Sequence, residues 1–229
     1  MTQFNFIELD KTILPKTKGM RVDGHRFYNI DGKNYPSVTT VLGIRKSEQL
    51  KKWRDNIGND VANWEMGRAA RRGKAFHTLV EQYIKGETPS IRDVLPIGLF
   101  KLMKPYIDQI DNIHLLEAIM YSPKLTIAGQ VDCVAEYNGK LSVIDFKTAN
   151  KERQESWIEN YFLQTTAYAH MFEETFGKPI EQVVILLASE DGTVQTFVKN
   201  KADYEEELGK AIQNFYKYFE EKTKDKVKT

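Results

Sequence analysis

The alternation of hydrophobic and polar positions changes period several times along the chain. His25-Arg-Phe-Tyr-Asn-Ile and Tyr35-Pro-Ser-Val-Thr-Thr-Val-Leu flank Asp31-Gly32, a strong turn signal, so residues 25–42 predict a hairpin. From the capping residue Ser47 to about Lys85 the spacing becomes helical. Gly58, Gly67 and Gly73 weaken helix interiors there, which predicts two or three helices, the last over about 68–85. Gly86 to Pro89 closes that helix, and residues 96–111 predict another, with Pro96 near its start and Pro105 demanding a break or kink. The period then drops to two. Residues 115–121, 125–137 and 140–148 are strand-like, and Asn138-Gly139 favours a two-residue type I′ turn between the last two. Residues 156–176 return to helix. Val183 to Ala188 is continuously apolar, as a strand buried on both faces requires, and Asp191-Gly192 leads to a partner strand at 193–199. An amphipathic helix over about 201–222 runs into a lysine-rich tail. The order helix, three strands, helix, strand predicts an α/β fold (α+β in its pairing), a central mixed β-sheet flanked by helices, with an N-terminal hairpin and helical additions.

Length and composition set limits on that picture. With 229 residues and 41% hydrophobic content, the chain is long enough for one substantial core. The expectation is a single domain over 1–229: additions in 1–66, a core in 67–200, and a C-terminal helix with a basic tail in 201–229. Thirty-three basic residues against thirty-two acidic ones leave a formal charge of +1, so a hold on nucleic acid must come from a local basic patch. The single cysteine, Cys133, excludes an intramolecular disulfide, a four-cysteine zinc site and a four-cysteine iron–sulfur cluster. The first residues lack the pattern of a signal or transit peptide, and no apolar run approaches the roughly 18 residues that span a bilayer. A cytoplasmic protein with no membrane partner is expected.

The candidate chemistry sits on the Asn138-Gly139 hairpin. If these are the two loop residues, Tyr137 pairs with Lys140, and stepping back along the ladder sets Asp132 opposite Asp145. Cross-strand partners have Cβ atoms about 4.5–5.5 Å apart, so both carboxylates can ligate one divalent cation. Alternation puts Lys147 on the same face, while the interleaved Val131, Cys133, Ile144 and Phe146 face the other way and are apolar. Like charges directly opposed destabilise a sheet, and a cation or proton relieves them. An Asp-x-Lys triplet alone is common and is usually a solvated strand end or a salt bridge. The opposed Asp132 is what raises this one above that background.

Other residues join by spacing. His77 and Glu81 lie four apart on one helix face. A histidine with two aspartates admits Mg²⁺ or Mn²⁺, and Glu81 reads as an outer partner that orients His77. Gln164 and Tyr168 are also four apart, a spacing that by itself favours an ordinary helix pair with the tyrosine on the core. Arg68, Arg71 and Arg72, with Lys74 close by, concentrate positive charge on a turn leading toward His77. Trp53, between Lys52 and Arg54, and Trp64 offer indoles on which bases of a single strand stack, worth about 1–3 kcal/mol per base. Against this, tryptophans at helical spacing are more often core, and arginine runs are often solvated faces.

Taken together, Gly73-Lys-Ala-Phe-His77-Thr-Leu-Val-Glu81, Gly129-Gln-Val-Asp132, Val143-Ile-Asp145-Phe-Lys147-Thr148 and Gln164-Thr-Thr-Ala-Tyr168 resemble the ordered motifs of the PD-(D/E)XK nucleases of the RecB-like branch. With Tyr35-Pro-Ser-Val-Thr-Thr-Val-Leu, the likeness extends to the mitochondrial genome maintenance exonucleases and their bacterial and phage relatives over roughly residues 33–222. Val131 stands where the superfamily's name has proline. The resemblance implies a restriction-endonuclease-like core and a metal-dependent exonuclease acting on single-stranded DNA with a free end or flap. It also implies a bacterial or phage setting of replication, recombination or repair, with proteins of those processes as partners. His77, Asp132, Asp145 and the backbone carbonyl of Phe146 would hold Mg²⁺ or Mn²⁺, Lys147 would act on the attacking water, and Gln164 and Tyr168 would support the lysine and the DNA backbone. Lys147 would orient or deprotonate that water if its pKa is lowered, or stabilise the transition state if it stays charged. A structure-specific endonuclease with the same site, or a DNA-binding module that has lost catalysis, are the rival readings.

Overall fold

The computed structural model describes residues 4–227. Two sheets organise it. The smaller has the order β1-β2-β3, from Gly19–Val22, His25–Ile30 and Lys33–Pro36; the larger has the order β4-β5-β6-β7-β8, from Ile110–Ser122, Ile127–Tyr137, Lys140–Ala149, Gln182–Ser189 and Val194–Asn200. All neighbours in the larger sheet are antiparallel except β6 and β7, which run parallel and are joined through helix α5, Glu159–Phe176. The mixed sheet flanked by helices is therefore as expected, with β7 buried along almost its whole length.

Each face of the sheet has its own core. On one, Val134 and Val143 pack with Leu163, Ala167 and Phe172 of α5 and with Phe215 of α6, Glu205–Val227. On the other, Cys133, Ile144 and Phe146 pack with Phe76 and Val80 of α3, Asn59–Ile84, and with Leu99 and Met103 of α4, Val94–Ile107. Val131 was expected on the Cys133 side, yet it packs with Val134 and Val143, so strict alternation is broken beside Asp132.

Several boundaries differ from the sequence pattern. The N-terminal hairpin is one edge of a three-stranded sheet, and its second strand stops at Pro36 because Ser37 accepts a hydrogen bond from the Thr40 amide and caps α1, Val38–Gly43. Ser47 does not cap α2, Ser47–Ile57; its hydroxyl donates to the Ile44 carbonyl at 2.8 Å. The helical stretch breaks once, at Gly58, and α3 then runs unbroken through Gly67 and Gly73. A glycine inside a helix costs about 1 kcal/mol. Burying a Phe, Leu or Val side chain contributes about 1.5–3 kcal/mol, so the packing of Phe76, Leu79 and Val80 prevails. Pro105 lies in the last turn of α4, and the helix ends two residues after it, at Ile107. Strand β4 begins at Ile110, earlier than its pattern, with an irregularity between Asp111 and Leu115. Residues 228 and 229 of the lysine-rich tail lie outside the described residues. No helix among the described residues is long and apolar enough to cross a membrane.

Phe172 is fully buried between His114, with ring centroids 6.0 Å apart, and Phe176, at 4.9 Å. Phe172→Ala is expected to lower unfolding free energy by about 3–5 kcal/mol, read as a shift of the urea midpoint at unchanged slope.

Candidate active site

The hairpin between β5 and β6 turns through Asn138 (φ 52°) and Gly139 (φ 74°), the two positive values of a type I′ turn. Its pairing runs from Tyr137↔Lys140 to Cys133↔Ile144, the register expected, and the ladder ends there, so Asp132 and Asp145 follow on adjacent strands just beyond the last pair. On the other side of β5, Leu116↔Cys133 and Ala118↔Val131 place Glu117 opposite Asp132. Three acidic residues thus come from three adjacent strands. Glu117 has a left-handed backbone (φ 49°), uncommon outside glycine, and Gln130 holds it by donating to its Oε2 at 2.8 Å and its carbonyl at 3.3 Å.

His77, from the middle of α3, closes the group. Its Nδ1 lies 3.6 Å from both Glu117 Oε1 and Asp132 Oδ2, too long for hydrogen bonds but short enough for strong charge coupling. Burial alone would lower the imidazole's pKa; Asp132 and Glu117 outweigh it and raise it to about 9. Asp132 Oδ2 accepts the Phe146 amide at 2.9 Å, which ties the carboxylate to β6.

Asp145 is buried and faces a different set. Its Oδ2 is 2.5 Å from Lys147 Nζ, and Gln164 donates to its Oδ1 at 3.2 Å. The lysine contact is an ion pair without hydrogen-bond alignment, which leaves Oδ2 short of a directed donor. Burial pushes Asp145 up to about 7, with Lys147 pulling it down and Asp132 pushing it further up. For Lys147, burial acts downward, but Asp145 and Asp132 prevail and hold its pKa above the ordinary value. The Tyr161 ring lies 5.0 Å from its Nζ.

One helical turn beyond Gln164, Tyr168 is buried with its hydroxyl pKa raised, chiefly by burial and then by Asp132 and Asp145. It leans over Gly129 so closely that a Cβ there would stand 2.7 Å from its ring. The cleft above these residues, about 220 Å³, is completed by Arg26, Ser37 and Thr39 from the smaller sheet and α1. The Arg26 guanidinium lies 5.1 Å from the Tyr28 ring centroid.

The structure therefore brings His77, Asp132, Asp145, Lys147, Gln164 and Tyr168 together, with Phe146 between the second aspartate and the lysine. It places others elsewhere. Glu81, read as the partner of His77, pairs with Lys85 at 2.6 Å, and the carboxylate beside His77 is Glu117. Arg72 is buried; its guanidinium donates to Thr148 Oγ1 at 3.1 Å, to Asn150 at 2.6 Å and to Glu190, and so ties α3 to the end of β6. Arg68 also pairs with Glu190, at 2.5 Å. Arg71 and Lys74 are exposed, as are Trp53 (36%) and Trp64 (58%), so neither indole belongs to the core. Sequence reasoning missed Glu117, Gln130, Tyr161 and the cleft wall of Arg26, Ser37 and Thr39. The available signal for Glu117 was a lone charge within the apolar run Leu115 to Ile119.

The donor set fits a divalent cation. His77, Glu117 and Asp132 each offer a ligand atom within 4.8 Å of the others, and an imidazole with carboxylates suits Mn²⁺ or Mg²⁺. Asp145 adds a buried oxygen beside them that lacks a directed donor.

A sequence model of the PD-(D/E)XK nuclease superfamily matches residues 107–226. Mitochondrial genome maintenance exonuclease 1 of Homo sapiens is 30% identical over 174 residues, 69% of this chain and 50% of its own length. The proteins of the same name from Mus musculus and Xenopus tropicalis are 27% and 28% identical, each over 69% of this chain and 51% and 49% of their own lengths. The chain spans about half the length of the curated relatives it matches.

A cation at these donors competes with protons on His77 and Asp145. Apparent Mn²⁺ affinity is expected to rise most steeply with pH below about 7, more gently up to about 9, and then to level off. Calorimetry in buffers of different ionisation enthalpy counts the protons released, and His77→Ala should abolish the gentler limb.

Proposed function

The chain belongs to the PD-(D/E)XK nuclease superfamily, and from that membership and the geometry of its cleft we propose a divalent-metal-dependent exonuclease that hydrolyses single-stranded DNA from free ends or flaps. One observation carries this reading: an imidazole and two acids converge beside a buried lysine–aspartate pair at an open cleft. The exonuclease character is taken from the printed name of the relatives, and the genome maintenance in that name supports DNA as the substrate. The genome-maintenance name of the relatives supports a setting of DNA replication, recombination or repair, alongside proteins of those processes.

His77, Asp132 and Asp145, with the Phe146 carbonyl, hold Mg²⁺ or Mn²⁺ in this reading, and Glu117 joins them. The cation, when bound, supplies charge neutralisation at the phosphoryl oxygen and a more acidic water. Without a cation, the acidic neighbours of Lys147 raise its pKa and favour its charged form. In this reading Lys147 takes the electrostatic role and stabilises negative charge on the phosphoryl group. Gln164 positions Asp145 through its 3.2 Å hydrogen bond. Tyr168, neutral at physiological pH, offers a hydroxyl to the cleft. Trp53 and Trp64, with Arg71 and Lys74, form an exposed face on α2 and α3 for the incoming strand. Arg68, paired with Glu190, borders that face.

The test is digestion of end-labelled linear single-stranded DNA and a closed single-stranded circle, with Mg²⁺ or Mn²⁺ or with chelator. Metal-dependent loss of the linear strand alone is expected, slowed by about 10²–10³ in Lys147→Ala, the range for removing one preorganised electrostatic group. Cleavage of the circle as well would replace the exonuclease reading with an endonuclease. Inertness toward both would leave a binding module.

A further inference from the structure

Beyond the acidic cleft lies a second, larger one, of about 420 Å³, where the root of α2 meets the start of α5. Its walls carry Arg45, Lys46, Arg153, Trp157 and Asn160. Arg45 is fixed and neutralised by Glu159 at 2.7 Å and Glu207 at 2.9 Å, and it donates to Asn160 at 2.8 Å. The other two cations lack such compensation. Lys46 Nζ donates to the Trp157 carbonyl at 2.8 Å, and the Arg153 backbone is pinned to Gln195, but neither side chain has an ion-paired carboxylate among the described residues. Burial lowers the Lys46 pKa, and the charges of Arg45 and Arg153 lower it further against the opposing pull of Glu159. The Trp157 side chain, 53% exposed, stands at the same cleft.

The two clefts share α5. Asn160, lining the second, is four residues before Gln164, which contacts Asp145; residues so spaced lie on one face, about one turn apart. Between them Tyr161 packs on Lys147. The helix that carries Gln164 to the acids thus carries Asn160 to the second cleft about 6 Å earlier along its axis.

We infer that this second cleft is a nucleotide subsite for the same single strand, in which Lys46 and Arg153 hold a backbone phosphate and Trp157 stacks on a base. The inference rests on the nuclease reading above and adds to it a position away from the bond that is cut.

Trp53, Trp64 and Trp157 are the chain's three tryptophans, so Trp53→Phe with Trp64→Phe leaves Trp157 as the sole indole. In that background, with Lys147→Ala to prevent cleavage, a labelled oligo-dT is titrated while Trp157 emission and DNA anisotropy are read together. Quenching of Trp157 that tracks the anisotropy is expected. Lys46→Gln and Arg153→Gln should each weaken binding and flatten the salt dependence, by about 0.7 in the log–log slope for each phosphate left without its cation. Trp157→Ala in the otherwise natural chain should weaken oligo-dT binding about ten-fold, within the range for removing one base stack. Binding seen by anisotropy without quenching, or salt slopes unchanged in both glutamine variants, would overturn the subsite while leaving the nuclease reading intact. Equal quenching by dTMP or inorganic phosphate at matched concentration would also overturn it, marking a site for free nucleotide or phosphate instead of a strand. Absence of oligo-dT binding by the natural chain, with chelator present to prevent cleavage, would remove both readings.

Discussion

A two-residue turn leaves no slack in the pairing of the strands it joins. Asn138 and Gly139, both with positive φ, close β5 onto β6 in a single register, and that register decides which face every later side chain takes. A slip of one residue would send Asp145 and Lys147 into the core occupied by Phe76, Leu99 and Met103, and would push Ile144 and Phe146 toward the cleft. Hydrophobic packing on both sides of the sheet and the polar character of one end of the hairpin therefore enforce the same register. The acids are held where they repel one another because the apolar residues between them have nowhere else to go.

That confinement shapes the electrostatics. Asp145 is deep enough for burial to oppose its charge, and Lys147 and Gln164 answer it from its own strand and from α5. Asp132 and Glu117 lie closer to the opening and share His77. The site is thus divided: an inner aspartate balanced by an ammonium, and an outer pair balanced by an imidazole.

Much of this was legible because the hairpin is local. Turn chemistry at Asn138-Gly139 and counting along two strands sufficed for Asp132, Asp145 and Lys147, and helical spacing put His77 forward, whereas Gln164 and Tyr168 came in only through the family resemblance, their spacing alone favouring an ordinary helix pair. Glu117 escaped because its place depends on the register of β4 against β5 and on an irregular backbone, neither of which has a short-range signature. Glu81 shared a helix face with His77, but Lys85 one turn on offered a nearer partner. Arg72 belonged to a promising basic turn, and only the tertiary position of Glu190 shows that its charge is used internally. The continuous α3 failed the glycine rule for a similar reason: burial along its length outweighs local propensity.

Arg26, Ser37 and Thr39 reach the cleft from the smaller sheet and the short helix that follows it, while the acids and the lysine come from the larger sheet. The wall and the floor of the cleft are therefore separate pieces of chain, joined through contacts such as the bridge between Ser37 and Ala128. The span matched by the superfamily begins at residue 107, after the whole wall and after His77. Wall and floor are in this way encoded in different stretches of sequence, so β2 and α1 can change without altering the acids beneath.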